Sequence, residues 1–230
     1  MFDFLENSAF FGVVISVASY GLGLLLKKKF KLAILNPLLI SIIITIAFLA
    51  CTGISYEKYD EGAKYLSYLL TPATVCLAIP LYEQLELLKK NWHAVLIGIL
   101  SGVLSSLGAI LGMAVLFRFS HEEYVTFLPK SITTAIGMGV SEKLGGYASI
   151  SVAAIIITGV LGNIFAEIVF RLFRIQEPVA KGIALGTASH AIGTAKAMEL
   201  GEVEGAMSSL SIVVAGLITV IGATIFSHIM

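Results

Sequence analysis

The chain has 230 residues, of which 57% are hydrophobic and 13% are charged, and its formal net charge is zero. An ordinary soluble domain carries about a quarter charged residues, so this composition excludes a soluble protein and predicts a single integral membrane domain over 1–230. For an integral membrane protein we expect no nucleic-acid partner, and the two cysteines, Cys51 and Cys76, lack the spacing of metal ligands.

Six apolar stretches have about the twenty residues that an α-helix needs to cross a bilayer. In chain order they cover about 8–26, 32–52, 62–82, 93–117, 147–173 and 205–229. Pro72 and Pro80 interrupt the third stretch. We therefore predict an all-α polytopic membrane protein with about six transmembrane helices.

The fourth stretch carries a face of small residues, formed by Gly98, Gly102, Gly108 and Gly112. Small residues four positions apart lie on one side of a helix and let another helix approach closely. This face predicts tight helix packing or assembly of copies, and we expect a homo-oligomer in the lipid bilayer.

Two segments rich in glycine, alanine, serine and threonine lie between the later apolar stretches, at 129–146 and 181–204. Such segments are too costly to face lipid, so they belong against protein or a water-filled cavity. The alternative is that each is a solvent loop with a short helix between two membrane spans.

The two polar segments repeat one another. The motif A-I-G at 135–137 recurs 56 positions later at 191–193, and Gly159 matches Gly216 at an offset of 57. Repeats with interrupted short segments at corresponding positions are typical of transporter binding sites. We therefore predict an internal duplication, with copies at approximately 129–173 and 185–229.

The distribution of charge predicts the topology. Basic residues cluster at 27–31, 89–90 and 171–181, and acidic connections lie at 57–61 and 121–123. All three basic clusters fall on one side of the membrane if each polar segment returns to the side it entered from. We therefore predict two re-entrant or broken segments in an inverted repeat, within a multi-pass protein that has both termini outside.

The chemistry of the polar segments favours a small anion. A broken helix exposes unpaired N–H groups and a partial positive charge at its N-terminus, and hydroxyls add further donors. The candidate binding residues are Lys130, Ser131, Thr133, Thr134, Thr187, Ser189, His190, Thr194 and Lys196. Two alternatives stay open, because Lys130 fits an interfacial anchor and Lys196 fits an ion pair with Glu199.

Three titratable residues are candidates for proton coupling, namely His190, Glu167 and Glu199. The structural alternatives are a helix–helix hydrogen bond for His190 and a salt bridge with Arg171 for Glu167. No nucleophile–base pair or catalytic motif stands out, so we expect no enzyme, no catalytic residue, no metal and no cofactor.

The polar segments resemble the LrgB/CidB family of bacterial membrane proteins, through P-K-S-I-T-T at 129–134 and G-T-A-S-H-A-I-G-T-A-K-A-M-E-L-G at 186–201. The resemblance covers nearly the whole chain, which is also similar to the membrane part of the plant plastid glycolate/glycerate translocator. It implies a protein of the bacterial cytoplasmic (inner) membrane with a small LrgA/CidA-type membrane partner. Ala135 departs from the family, which commonly has proline there.

Two functions attach to the family that the chain resembles. One is transport of small monocarboxylates such as pyruvate or glycolate, and the paired hydroxyl-rich segments favour it because a lesion-forming scaffold does not need them. We therefore expect a carboxylate transporter that works by alternating access, with proton coupling as an option. The alternative is a holin- or antiholin-like regulator of murein hydrolase export and cell lysis.

Overall fold

A computed structural model of the chain describes residues 8, 10–30, 35–69, 72, 75–76 and 78–230. The chain divides near residue 76 into two compact units. The regular elements in the described residues are all α-helices: α1 (Phe11–Phe30), α2 (Pro37–Thr52), α3 (Tyr56–Ser67), α4 (Ala78–Glu83), α5 (Leu85–Phe117), α6 (His121–Phe127), α7 (Thr134–Lys143), α8 (Ala148–Leu172), α9 (Pro178–Leu200) and α10 (Glu202–Ser227).

The first unit contains α1, α2 and α3, which approach one another at glycines. Asn36 caps the start of α2, because its side chain accepts two backbone N–H hydrogen bonds at 2.9 and 3.2 Å. A Cβ at Gly12 of α1 would overlap the Tyr59 carbonyl of α3, and one at Gly23 would lie 2.7 Å from the Pro37 carbonyl oxygen of α2. The missing side chains therefore let α1 pack closely on both neighbours.

Four helices among the described residues are long and apolar enough to cross a membrane, namely α1, α5, α8 and α10. The apolar helix α2 is shorter, at 16 residues. The predicted span at about 62–82 is divided between the end of α3 and the six-residue α4, and the residues between them are only partly described. The predicted class, an all-α polytopic membrane protein, is confirmed.

The core of the second unit forms where α5 packs on α10. One face of α5, with helical spacings of three and four, buries Val95, Ile99, Val103, Leu107 and Ile110. These side chains share one apolar cluster with residues of α10, including Ala206, Met207, Ala215 and Ala223. The many small residues of α10 allow this close contact between the two helices.

The second polar segment forms a helical hairpin instead of one straight helix. The helical conformation breaks at His190, whose φ is 43° and ψ is −136°. The chain then runs back, because a Cβ at Gly193 would overlap the carbonyl oxygen of Leu185, whereas a straight helix would hold these positions about 12 Å apart. Leu200, at the far end, packs in the same apolar cluster as Ile175, just before the start. We call 178–200 the second hairpin, with its tip at His190.

The first polar segment forms a similar hairpin together with the residues before it, because α6 precedes the predicted range of 129–146 and α7 lies within it. A capping box starts α6, and α7 begins after Thr133. Ser151 Oγ of α8 lies 2.7 Å from both the Thr126 carbonyl oxygen of α6 and Ser141 Oγ of α7. The end of α7 is therefore beside α6, so the chain leaves this segment close to where it entered. We call 121–143 the first hairpin, with its tip just before α7.

The last helix, α10, runs parallel to the first arm of the second hairpin, which covers 178–189. Gly182 lies against the backbone of Glu204, and four residues later Gly186 lies against the backbone of Ser208. Contacts that advance in the same sense along both helices require a parallel arrangement. Glycine at both positions lets the two backbones meet directly.

The long helix α8 runs antiparallel to the same arm. Gly162 lies against Ser189 near the tip, and Ala166, further along α8, packs with Leu185, which is further back along the arm. Contacts that advance in opposite senses require antiparallel helices. It follows that α8 and α10 also run in opposite directions.

Candidate functional site

A cavity of about 1060 Å³ lies between α5, the tip of the first hairpin, α8 and the first arm of the second hairpin. Lys90 and Ser106 both line it, and their positions on α5 are about 24 Å apart along the helix axis. Near Lys90, which is exposed, the lining includes the exposed Glu177 and the half-buried Asn91. Near Ser106 it includes the buried Ser131 and Ser189. We call these the outer end and the deep end of the cavity.

Lys130 lies at the deep end in contact with two hydroxyl groups. Its Nζ donates to Ser131 Oγ at 3.1 Å and to Ser106 Oγ at 3.3 Å, and the two hydroxyls are 3.0 Å apart. No carboxylate of the described residues lies within 4.0 Å of this ammonium. The structure therefore places a cation in the cavity wall, and hydroxyl groups are its hydrogen-bond partners.

Thr187 lines the cavity and has an unusual hydroxyl. Its Oγ1 is buried and has no hydrogen-bond partner among the described residues. Other helical hydroxyls donate to the carbonyl four residues earlier, as Thr194, Ser209 and Ser211 do at 2.7–3.1 Å. A buried polar group without a partner costs about 1–3 kcal/mol, so such a group calls for a ligand or other cause.

Glycines form part of the cavity wall where helices approach closely. A Cβ at Gly102 would lie 2.7 Å from Thr187 Cγ2, and one at Gly98 would lie 3.3 Å from Ile183 Cγ2. The predicted small-residue face of α5 thus packs against the second hairpin of the same chain at these positions. Among the described residues beyond the neighbouring turns of α5, no atom lies within 4 Å of a Cβ at the other two glycines of that face, Gly108 and Gly112.

Some of the predicted binding residues lie outside the cavity lining. Thr133 and Thr134 are at the start of α7, where Thr133 makes no side-chain capping bond. The His190 Nε2 is 3.0 Å from the Ile155 carbonyl oxygen of α8, which is the helix–helix hydrogen bond of the structural alternative. Thr194 Oγ1 lies 2.7 Å from Ser208 Oγ of α10. The cavity itself brings together four of the predicted residues, namely Lys130, Ser131, Thr187 and Ser189.

Lys196 lies in an ion-pair cluster away from the cavity lining. Its Nζ is 2.5 Å from Glu167 Oε1 and 3.5 Å from Glu199 Oε2. The predicted pairing of Lys196 with Glu199 is therefore present, and Glu167 joins the same cluster from α8. Both carboxylates that were predicted as proton-coupling candidates contact this one ammonium.

Sequence reasoning missed the contribution of α5 to the site. Ser106, which contacts Lys130, was assigned only to an apolar membrane span, and so was Ser105. The one available signal is the serine pair in the middle of an otherwise apolar helix. Thr158 of α8, another lining residue, was missed for the same reason.

The two sequence copies contact each other through matching residues. A Cβ at Gly159 of α8 would lie 2.8 Å from Ile192 Cδ1, just past the tip of the second hairpin. A Cβ at Gly216 of α10 would lie 3.6 Å from Ile136 Cδ1 of the first hairpin. Gly159 matches Gly216 in the sequence repeat, and Ile136 matches Ile192. Exchanged contacts of this kind, with α8 and α10 antiparallel, are the arrangement expected of an inverted duplication, which stays a prediction.

Comparison with known proteins gives matches along almost the whole chain. The family model of the LrgB-like family matches residues 16–229. "Antiholin-like protein LrgB" of Bacillus subtilis (strain 168) is 36% identical over 220 residues, which cover 95% of this chain and 95% of the relative. The proteins of the same name from Bacillus mycoides (strain KBAB4) and Bacillus cereus (strain B4264) are each 38% identical over 218 residues, covering 94% of this chain and 95% of the relative. No solved structure matches the chain.

Proposed function

The chain belongs to the LrgB-like family, and from this premise we propose that it acts in the bacterial membrane as an antiholin-like protein. The observation that carries the proposal is the end-to-end similarity to relatives that bear this name. This similarity supports an antiholin-like regulator better than it supports carboxylate transport, the other function considered from the sequence. The membrane-spanning helices agree with a role inside the bilayer.

In this proposal the protein restrains murein hydrolase export and cell lysis, together with a small LrgA/CidA-type membrane partner. The test is deletion of the gene in its native bacterium, with measurement of autolysis rate and of murein hydrolase activity outside the cell. We expect faster autolysis and more external hydrolase, both reversed by the wild-type gene. Unchanged autolysis and hydrolase activity in the deletion strain would contradict an antiholin-like role.

A second candidate function is transport of small carboxylates by alternating access, and the cavity favours it. The cavity reaches from exposed residues near Lys90 to buried hydroxyls and Lys130 at the tip of the first hairpin. Two broken hairpins in an inverted arrangement, with a cavity where they meet, are features of secondary transporters. His190, Glu167 and Glu199 stay proposals for proton coupling.

Transport is tested with the purified protein in proteoliposomes. Uptake of labelled pyruvate, glycolate and lactate is measured with and without a pH gradient, against protein-free liposomes. Uptake above the protein-free control supports transport, and a dependence on the gradient supports proton coupling. If correctly folded protein takes up none of the three substrates in either condition, the result contradicts transport and leaves the regulator as the supported function.

A further inference from the structure

The deep end of the cavity has more hydrogen-bond donors than acceptors. A lysine ammonium has three N–H donors, and that of Lys130 contacts two hydroxyl oxygens, on Ser106 and Ser131. One N–H therefore has no acceptor among the described residues. The two hydroxyls are 3.0 Å apart, so one donates to the other and the second keeps its hydrogen. The cluster thus presents one N–H and one O–H donor to a ligand.

Thr187 supplies a further donor from the second hairpin. Its methyl group faces Gly102, and its Oγ1 is buried without a partner among the described residues. Rotation about the Cα–Cβ bond moves the hydroxyl to a different position beside the helix, and threonine in helices populates two such rotamers. Because Thr187 lines the cavity, this rotation offers its O–H to a bound molecule.

The formal charge of the lining sets the charge of the ligand. Lys130 is the one charged lining residue at the deep end among the described residues, while Lys90 and Glu177 at the outer end have opposite formal charges. A cation would meet the Lys130 ammonium without a carboxylate to compensate it. A ligand with two negative charges would bury one of them without a countercharge, which is costly.

We infer that the deep end of the cavity is a binding site for a small anion with one negative charge, held by the Lys130 ammonium and by the hydroxyls of Ser106, Ser131 and Thr187. The inference deepens the second candidate function, carboxylate transport, and its physiological role rests on that proposal. Binding itself is measurable without transport, so the two can fail separately.

The test uses the full-length protein purified in detergent, with lactate as the singly charged probe, succinate as the doubly charged probe and lactamide as the uncharged one. A ligand that binds the folded state raises the midpoint of thermal unfolding in proportion to ln(1 + [L]/Kd). At constant ionic strength we expect lactate to raise the midpoint along this logarithmic curve, succinate to act more weakly, and lactamide to have no effect.

The key variant is Lys130→Met, and Lys90→Met is its matched control because it removes the same charge from the outer end of the cavity. We expect Lys130→Met to abolish the lactate-dependent shift and Lys90→Met to retain it. Thr187→Val should raise the lactate dissociation constant by about tenfold, while Thr187→Ser keeps the hydroxyl and should retain binding. If Lys130→Met does not fold, Ser106→Ala and Thr187→Val carry the test.

Three results would overturn the inference: a lactate shift that persists in Lys130→Met, an equal shift with lactamide, or tighter binding of succinate than of lactate. Measuring flux in proteoliposomes shows separately whether the binding site or the transport proposal fails. Lactate binding that depends on Lys130, without flux of any substrate, keeps the site and contradicts transport. Flux that survives Lys130→Met contradicts the site and keeps transport.

Discussion

At the scale of single residues, the deep end of the cavity joins side chains that stand out in the sequence with one that does not. Lys130, Ser131, Thr187 and Ser189 could be predicted because they are polar residues in segments that cannot face lipid. Ser106 could not, since a serine within an apolar helix usually bonds to its own backbone. Only the fold brings α5 beside Lys130, and no local pattern reports that contact.

The backbone at His190 gives a prediction about stability. Its φ of 43° lies in the region that favours glycine, so a side chain there carries strain of about 1–3 kcal/mol. Both His190→Ala and His190→Gly lose the hydrogen bond to the Ile155 carbonyl, but only glycine relieves the strain. We expect His190→Gly to be more stable than His190→Ala by about 1 kcal/mol in denaturant unfolding. Equal stability of the two variants would contradict a break of the helix at this residue.

Some glycines of the second unit lie at close contacts between helices, and others lie on open surface. A Cβ at Gly186 would overlap the Ser208 carbonyl oxygen and lie 2.8 Å from Ser211 Cβ, whereas nothing among the described residues lies within 4 Å of one at Gly112. We expect Gly186→Ala to destabilise the protein by about 1–3 kcal/mol, because the backbones must separate. The control Gly112→Ala should be neutral or slightly stabilising, since alanine favours helix. The two variants are compared by their midpoints of thermal unfolding in detergent. Equal effects would show that α9 and α10 do not meet at Gly186.

At the scale of elements, the hairpins were predicted from charge and not from local propensity. The sequence at the second tip, A-S-H-A-I-G at 188–193, contains no proline and reads as a continuous small-residue helix. The charge argument concerns the first segment, whose return places the basic cluster at 171–181 on the same side as the others. The sequence repeat extends the same expectation of a return to the second segment. The sequence does not predict that the helix breaks at His190, because tertiary contacts hold this residue in its unusual conformation.

The return of the second hairpin predicts a specific cross-link. Lys181 and Leu200 line the same small cavity near residues 170–176, whereas a straight helix would hold them about 28 Å apart. On a cysteine-free background, Lys181→Cys with Leu200→Cys should react with a short bifunctional maleimide. The control pair of Lys181→Cys with Leu217→Cys should not, because Leu217 is about 20 Å further along α10 than Glu204, which lies beside Gly182. A cross-link in the control pair alone would contradict the hairpin.

At the scale of the whole molecule, composition was sufficient to predict an integral membrane protein, and the sequence repeat predicts an internal duplication. The long apolar helices α5, α8 and α10 follow directly from the stretches seen in the sequence. The predicted span at 62–82 is less regular, because Pro72 and Pro80 disfavour one continuous helix there. The packing of α8 and α10 against the same arm of the second hairpin depends on contacts far apart in the chain, so no local pattern predicts it.

The central claim is that the first polar segment returns to the side of the membrane it entered from, so that only α8 crosses between residues 121 and 174. Single cysteines at His121, Tyr147 and Arg174, on a background without Cys51 and Cys76, test it with an impermeant thiol reagent added to intact cells. Total labelling after permeabilisation is the control for reactivity. We expect positions 121 and 147 to be labelled from outside and position 174 to be protected until permeabilisation. Labelling of positions 121 and 174 from the same side would contradict the account, because it would require the first hairpin to cross the membrane.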